Sequence, residues 1–437
     1  MKRPLATLSA LSFPLVLGNV TVAVNELVNR FVLGRASLSA LAASLPGSML
    51  ALVFTGVFAN TIGYATALVA EAHGAGDPDR EWRIFTQALW TAVATVPVFA
   101  LSVPAGLCLL KLAGHAPEVL RDESVYFCHS ALGGLLAVFS AALGSYHAGR
   151  GRTGLPSAAA LLGCLVDMAA APVLVLGLGL GIDGAGLSKV LGALVQAAIL
   201  ALGVIRALRS GASPYPWRLD RVILARLLRL GLPFGLSSGV GSGTFTVFVL
   251  CLGTCGAEAL AIGNLCFALN NLFNTTLCAI ESAVVIMVGT CRGACDRIGM
   301  RSTFRAGVLL SLLSLFVCYT PILSCSDFIV ACCLSGEATP RAHALARCFL
   351  SGLFASGIFE TVKHTATGVL RGNGETDFVL GAHLAVSAGL WMPGALLLAR
   401  CTRDANCLWP SIAVYTLIHA GVLAYRARAA WSDAHRP

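Results

Sequence analysis

A chain of 437 residues has the length of two or three soluble domains, yet 57% of it is hydrophobic and only 12% is charged, about half the charge usual in soluble domains. That composition, with a mean hydropathy of +0.81, excludes a disordered chain and leaves too little polar surface for a soluble enzyme of this size. The net charge of +9 does not point to nucleic acid, because the basic residues lie in short segments between long apolar runs, where they set orientation in a membrane.

A helix crossing the hydrocarbon layer needs about 20 mostly apolar residues. Such runs occur in chain order at 9–33, 45–71, 85–112, 124–148, 155–178, 184–206, 228–252, 259–290, 306–330, 344–370, 375–400 and 407–426. All are predicted to be helices, since open strand edges cannot face lipid. Kinks are expected where Pro or Gly interrupts them. Lys2 and Arg3 before the first run resemble a signal peptide, but the run continues to Leu33 with no small-x-small cleavage site, so an uncleaved first span is expected. Most of the 16 cysteines sit inside spans and act as small hydrophobes. Only Cys325, Cys332, Cys333, Cys401 and Cys407 fall near predicted external loops, where a disulfide is an open question.

With both termini placed inside, 20 Lys and Arg fall in inner segments and 9 in outer loops, which favours cytoplasmic termini. The richest inner loop, 206–229, carries six arginines and the sequence SPYPW near the middle of the chain. Shifting the first half by 219 residues places Pro14 on Pro233, Gly34 on Gly253, Ala40 to Ala42 on Ala259 to Ala261, Gly74 on Gly293 and Asp77 on Asp296. Arg150-Gly151 falls two residues out of register with Arg371-Gly372. Six spans per half give both halves the same orientation, so the repeat is parallel, with its axis along the membrane normal. The expected fold is an all-α polytopic membrane protein of twelve transmembrane helices in two six-helix bundles related by a pseudo-twofold. The bundles are read as 1–206 and 228–437, joined by a basic cytoplasmic linker at 207–227. Two like bundles imply a central cavity, and a transporter is the first hypothesis.

The motifs at equivalent span ends resemble those of the multidrug and toxic compound extrusion (MATE) family. They are Pro14 in span one, then Val32-Leu33-Gly34 and Ala40-Leu41-Ala42-Ala43, and Ala65 to Ala70 leading into Gly74-Ala75-Gly76-Asp77. In the second half they are Gly231-Leu232-Pro233 and the string Gly368 to Thr376, containing Arg371 and Gly372, whose first-half counterpart runs from Gly149 through Arg150 to Thr153. The resemblance covers nearly the whole chain. It implies a multi-pass protein of the bacterial inner membrane that exports organic cations or drugs in exchange for protons or sodium. The implied partners are those small cations, the driving ion and membrane lipid, with no nucleic acid, no bound cofactor and a monomeric state. The short Gly-rich turns beside Arg150 and Arg371 read as structural, because they let helix ends approach closely.

Polar residues inside spans are the better functional signal, each being costly unless paired or hydrated. Asn25 and Asn29 share one face of span one with Glu26 at its edge, and Asn60, Tyr64 and Glu71 share a face of span two. Asp167 stands in span five. Asn264, Asn271, Asn274, Cys278 and Glu281 form a stripe on span eight, and Glu360, Lys363, His364, Thr367 and Arg371 form another on span ten. These stripes predict a hydrated interior that holds substrate or coupling ion. Glu360, Lys363 and His364 are one turn apart and read equally as a neutralising cluster. Glu281 has no cation on its own helix turn, which favours a cavity or proton-binding role. Glu26 offers either a displaced coupling carboxylate or a simple i, i+4 pair with Arg30.

Two positions depart from the family pattern. Asn29 stands where many members have Asp, five residues before Gly34, and an Asn cannot take up a proton. Asp167 matches the acidic position of span five, but Gly163 replaces the Asn expected four residues earlier. A lipid-linked oligosaccharide flippase of a related two-bundle type is the main alternative, and it would line its cavity with several bases for a pyrophosphate. Lys363 is the one base read clearly inside a span. A membrane-embedded enzyme lacks support, since no metal motif or nucleophile–base pattern is present.

Overall fold

The computed structural model describes residues 4–112, 117–209, 217–333, 340–402 and 405–432. Twelve of its helices are long and apolar enough to cross a membrane among these residues. They are α1 (Pro4–Ala36), α2 (Pro46–Gly74), α3 (Pro78–Leu112), α4 (Pro117–Gly149), α5 (Gly154–Gly177), α6 (Gly181–Arg209), α7 (Arg221–Thr254), α8 (Glu258–Gly293), α9 (Arg297–Ser324), α10 (His343–Gly372), α11 (Thr376–Thr402) and α12 (Leu408–Ser432). Every predicted span is a helix. The main boundary difference is α7, which begins seven residues ahead of the expected 228, because Asp220 caps its first turn by accepting from the Val222 and Ile223 amides. Residues 210–216, including most of SPYPW, lie outside the described residues. Cys325 and Cys401 are free thiols, and the side chains of Cys332, Cys333 and Cys407 lie outside the description.

The helices are not uniform. In α11 a π-helical stretch, His383–Trp391, precedes Pro393, whose ring and missing amide do not fit a regular ladder. In α5 Pro172 is followed by a wide turn, Val173–Gly177, closed by the Leu178 amide on the Val173 carbonyl at 2.8 Å. In α2 regular helix ends at Gly63 and resumes at Ala65.

The chain forms two compact units, one of residues 13–235 and one of residues 1–12 with 236–437. The first unit packs Trp82, Phe85 and Tyr146 with ring centroids 5.0 to 5.7 Å apart. It also holds the opening of α7 tightly against α2. A Cβ added to Gly231 would stand 2.3 Å from the Thr61 carbonyl oxygen, and one on Gly235 2.4 Å from that of Val57. The second unit is centred on Phe248, Phe349, Trp391 and Trp409, all under 8% exposed.

The internal repeat is visible in hydrogen bonds. After α2 the Gly76 amide donates to the His73 carbonyl and the Asp77 amide to that of Ala72. After α8 the Cys295 and Asp296 amides do the same to Arg292 and Cys291, 219 residues on. Gly76 and Cys295 both take positive φ, 70° and 55°, which a cysteine adopts only under strain. The second repeated turn corrects the register read from sequence. Gly151 (φ 74°) corresponds to Gly374 (φ 84°), so the counterpart of Gly149 is Gly372, and Arg150 matches Asn373 rather than Arg371. Packing agrees: a Cβ on Gly149 would stand 2.6 Å from Val69 Cβ, and one on Gly372 2.8 Å from Val288 Cβ.

Candidate functional site

The polar residues singled out from sequence gather into separate clusters, each within one unit. In the first unit, Asn25 and Asn29 stand one turn apart on α1, so their side chains project to the same side. Both amides donate to Asp167 Oδ2, at 2.7 and 3.0 Å. All three side chains are buried, at 7%, 2% and 3% exposure. The other oxygens of the trio, Asn25 Oδ1, Asn29 Oδ1 and Asp167 Oδ1, are buried and make no hydrogen bond among the described residues. Three acceptors without donors in a low-dielectric place call for a cation or a proton. Gly163 is required by packing: a Cβ there would stand 2.7 Å from the Gly192 carbonyl on α6, so the Asn of the family pattern has no room.

Glu26 behaves differently from either sequence reading. Its partner is not Arg30 but Lys189 on α6, whose Nζ lies 2.8 Å from Glu26 Oε1 and 5.4 Å from the Tyr126 ring centroid. Lys189 is thus a second base within a span, one that sequence reasoning missed. The Glu26 side chain is 45% exposed.

In the second unit, Glu281 on α8 is the centre of the cluster. The expectation that it lacks a cation is corrected: Arg371 Nη1 donates to Oε1, and His364 Nδ1 lies 2.6 Å from Oε2. The partners are 83 and 90 residues away in sequence, which is why a search along its own helix found none. Arg371 Nη2 also reaches Ser237 Oγ on α7 at 3.1 Å. On α10, Lys363 Nζ pairs with Glu360 Oε2 at 2.5 Å, and His364 Nε2 lies 3.5 Å from the same oxygen. His364 therefore stands between two carboxylates. With two carboxylates facing two fixed cations, the cluster is charge-compensated before His364 titrates.

Three predicted residues do not join these clusters. Asn60 is half-buried on α2, Asn271 is exposed, and Asn274 accepts only the Cys278 thiol, at 3.6 Å. Tyr64 is buried and packs edge-on against Phe234 at 6.4 Å. Glu71, read as solvated, is instead held by Arg80 at 3.0 Å and by Arg226 at 2.7 Å. Arg150 pairs with Glu81 at 3.1 Å and donates to the Tyr146 hydroxyl at 2.9 Å. Also missed were Asn270, which accepts the Tyr319 hydroxyl at 2.6 Å, and a set on α11 and α12 in which His419 and Ser387 both contact the Tyr415 hydroxyl. Their signal was only polarity inside an apolar run.

A family model described as MatE matches residues 14–173 and again 233–397. The chain belongs to the MatE family. Members are membrane transporters rather than enzymes, and the double match follows the repeat. Among curated relatives, a probable multidrug resistance protein NorM of Deinococcus radiodurans is 29% identical over 97% of this chain and 96% of its own length. Another NorM, from Xylella fastidiosa, is 26% identical over 96% of this chain and 90% of its own. A solved outward-facing multidrug resistance MATE family transporter of the MOP superfamily superposes with a TM-score of 0.90 at 18% identity, covering 99% of this chain and 97% of its own. That likeness establishes the fold of this MatE protein.

Proposed function

We propose that this MatE protein is a secondary exporter of the bacterial inner membrane. It extrudes organic cations or drugs in exchange for protons or sodium by alternating access, as a monomer with both termini cytoplasmic. The observation that carries the reading is the buried trio on α1 and α5, where three oxygens lack donors and one belongs to a carboxylate. A sodium ion would be held by all three oxygens, and a proton would sit on Asp167 alone. Either neutralises a charge that is otherwise expensive inside a membrane. The names of the NorM relatives support drugs as the exported class. Against a lipid-pyrophosphate flippase, Lys189, Lys363 and Arg371 are each committed to a carboxylate, Glu26, Glu360 and Glu281.

The test is uptake of a fluorescent organic cation into inverted vesicles under a proton or a sodium gradient applied separately. One gradient should drive uptake, and Asp167→Asn should abolish the driven part at equal membrane insertion. Uptake by the variant at the wild-type rate would remove Asp167 from the coupling site.

A further inference from the structure

We propose that the face of α9 carrying Arg301 and Arg305 binds the headgroup of an anionic phospholipid. The argument begins with the repeat. Asp77 caps α3 by accepting from the Arg80 amide at 2.9 Å, and Asp296 caps α9 by accepting from the Gly299 amide at 2.7 Å, the same position 219 residues on. In that register Trp82 corresponds to Arg301, Phe85 to Phe304 and Thr86 to Arg305. Trp82 and Thr86 are 2% exposed, whereas both arginines are exposed. The difference is a cover. In the first unit Gln87 donates to the Arg218 carbonyl at 3.0 Å and accepts the Asp220 amide at 3.1 Å, and Trp217 lies edge-on to Trp82 at 6.1 Å. Thus the segment after 216 closes that end of α3.

No equivalent segment covers α9 among the described residues, and neither guanidinium has an ion-pair or hydrogen-bond partner there. The two arginines continue an outward stripe with Ile298, Leu309 and Phe316, which are 84%, 47% and 53% exposed. On a membrane-crossing helix an exposed apolar stripe faces acyl chains. A guanidinium on that stripe is costly unless it reaches an anion at headgroup level. Arg305 is eight residues into α9, about 12 Å along it, still within reach of the interface. Phe304 and Trp431 pair beside it with centroids 5.4 Å apart, as aromatic residues do at a membrane interface. Two cations one turn apart favour a net-negative headgroup over a zwitterionic one, whose phosphate is already balanced by its own ammonium.

Full-length protein in dodecyl maltoside would be titrated with phosphatidylglycerol or phosphatidylcholine, and lipid adducts counted by native mass spectrometry. Wild type should take up phosphatidylglycerol at the lower concentration. Arg301→Gln with Arg305→Gln should weaken that binding about 30-fold, from about 1 kcal/mol per basic residue. Arg301→Lys with Arg305→Lys should retain the preference, as should Arg400→Gln at the other end of the molecule. Equal uptake of both lipids by wild type, or an undiminished preference in the double Gln variant, would overturn the assignment. So would loss of the preference in the double Lys variant or in Arg400→Gln. A dimer in lipid-free detergent that the double Gln variant dissolves would assign the face to a second copy instead.

Discussion

Asn29 and Asp167, 138 residues apart in sequence, meet at 3.0 Å, with the amide donating to the carboxylate. The position where the family often places a second carboxylate is here a neutral donor that orients the one carboxylate present. Asn29→Asp should therefore change the ion chemistry rather than restore it. Two carboxylates at that separation must share one proton or one sodium ion. The cation should be held more tightly, and the ion concentration giving half-maximal export should fall several-fold. An unchanged half-saturation value in vesicle transport would contradict this.

Arg371 and Glu281 form a pair in which both side chains are nearly buried, at 12% and 8% exposure. Removing either partner leaves an uncompensated charge, which costs about 3 to 5 kcal/mol in such a setting. Glu281→Gln and Arg371→Gln should each lower the melting temperature in detergent, and the double variant should recover most of the loss. Additive losses in the double variant would mean that the two do not act as a pair.

Glu26 pairs with Lys189 while remaining half exposed, so the link is worth about 1 kcal/mol or less. Glu26→Gln should export at near wild-type rates and melt within a few degrees of it, and Arg30→Gln should be silent in both respects. Loss of export in Glu26→Gln at normal melting temperature would make Glu26 a coupling group after all.

Close helix contact at Gly149 and Gly372 gives a paired stability prediction. A methyl group at either would press on valine and on a backbone carbonyl, at 2.8 Å from Thr66 O in one case and 2.9 Å from Val285 O in the other. Gly149→Ala and Gly372→Ala should each cost about 1 to 3 kcal/mol, measured as midpoint shifts in thermal unfolding. Gly56→Ala on α2, with nothing within 4 Å, should be neutral or slightly stabilising. Equal effects at all three positions would sink the packing argument.

The twelve spans were legible because the bilayer imposes one length and one polarity on every crossing, and α1 to α12 answer to that rule alone. The repeat was legible at Gly74 and Asp77, whose counterparts lie at a constant offset. The offset then changes by four residues before Gly149, and a comparison by residue letters settled on Arg150 and Arg371 instead of the two turn glycines. The site was only half legible. Asn25 and Asn29 declared their shared face through helical spacing. Their convergence on Asp167, and that of Arg371 and His364 on Glu281, depends on helix packing that no local pattern encodes. Lys189 was overlooked for the same reason: its counter-charge is on another helix, 163 residues away.

The start of α7 seated against Val57 and Thr61 has a consequence for how the protein is made. A ribosome releases α6 into the membrane well before Gly231 and Gly235 have been synthesised. Until then the surface of α2 that receives them has no protein against it and must be tended by lipid or by the insertion machinery. A gene divided within 210–216 would separate the halves of the sequence but not the halves of the fold. Its first product would lack the helical turns that close its own bundle, and its second would carry them without their seat.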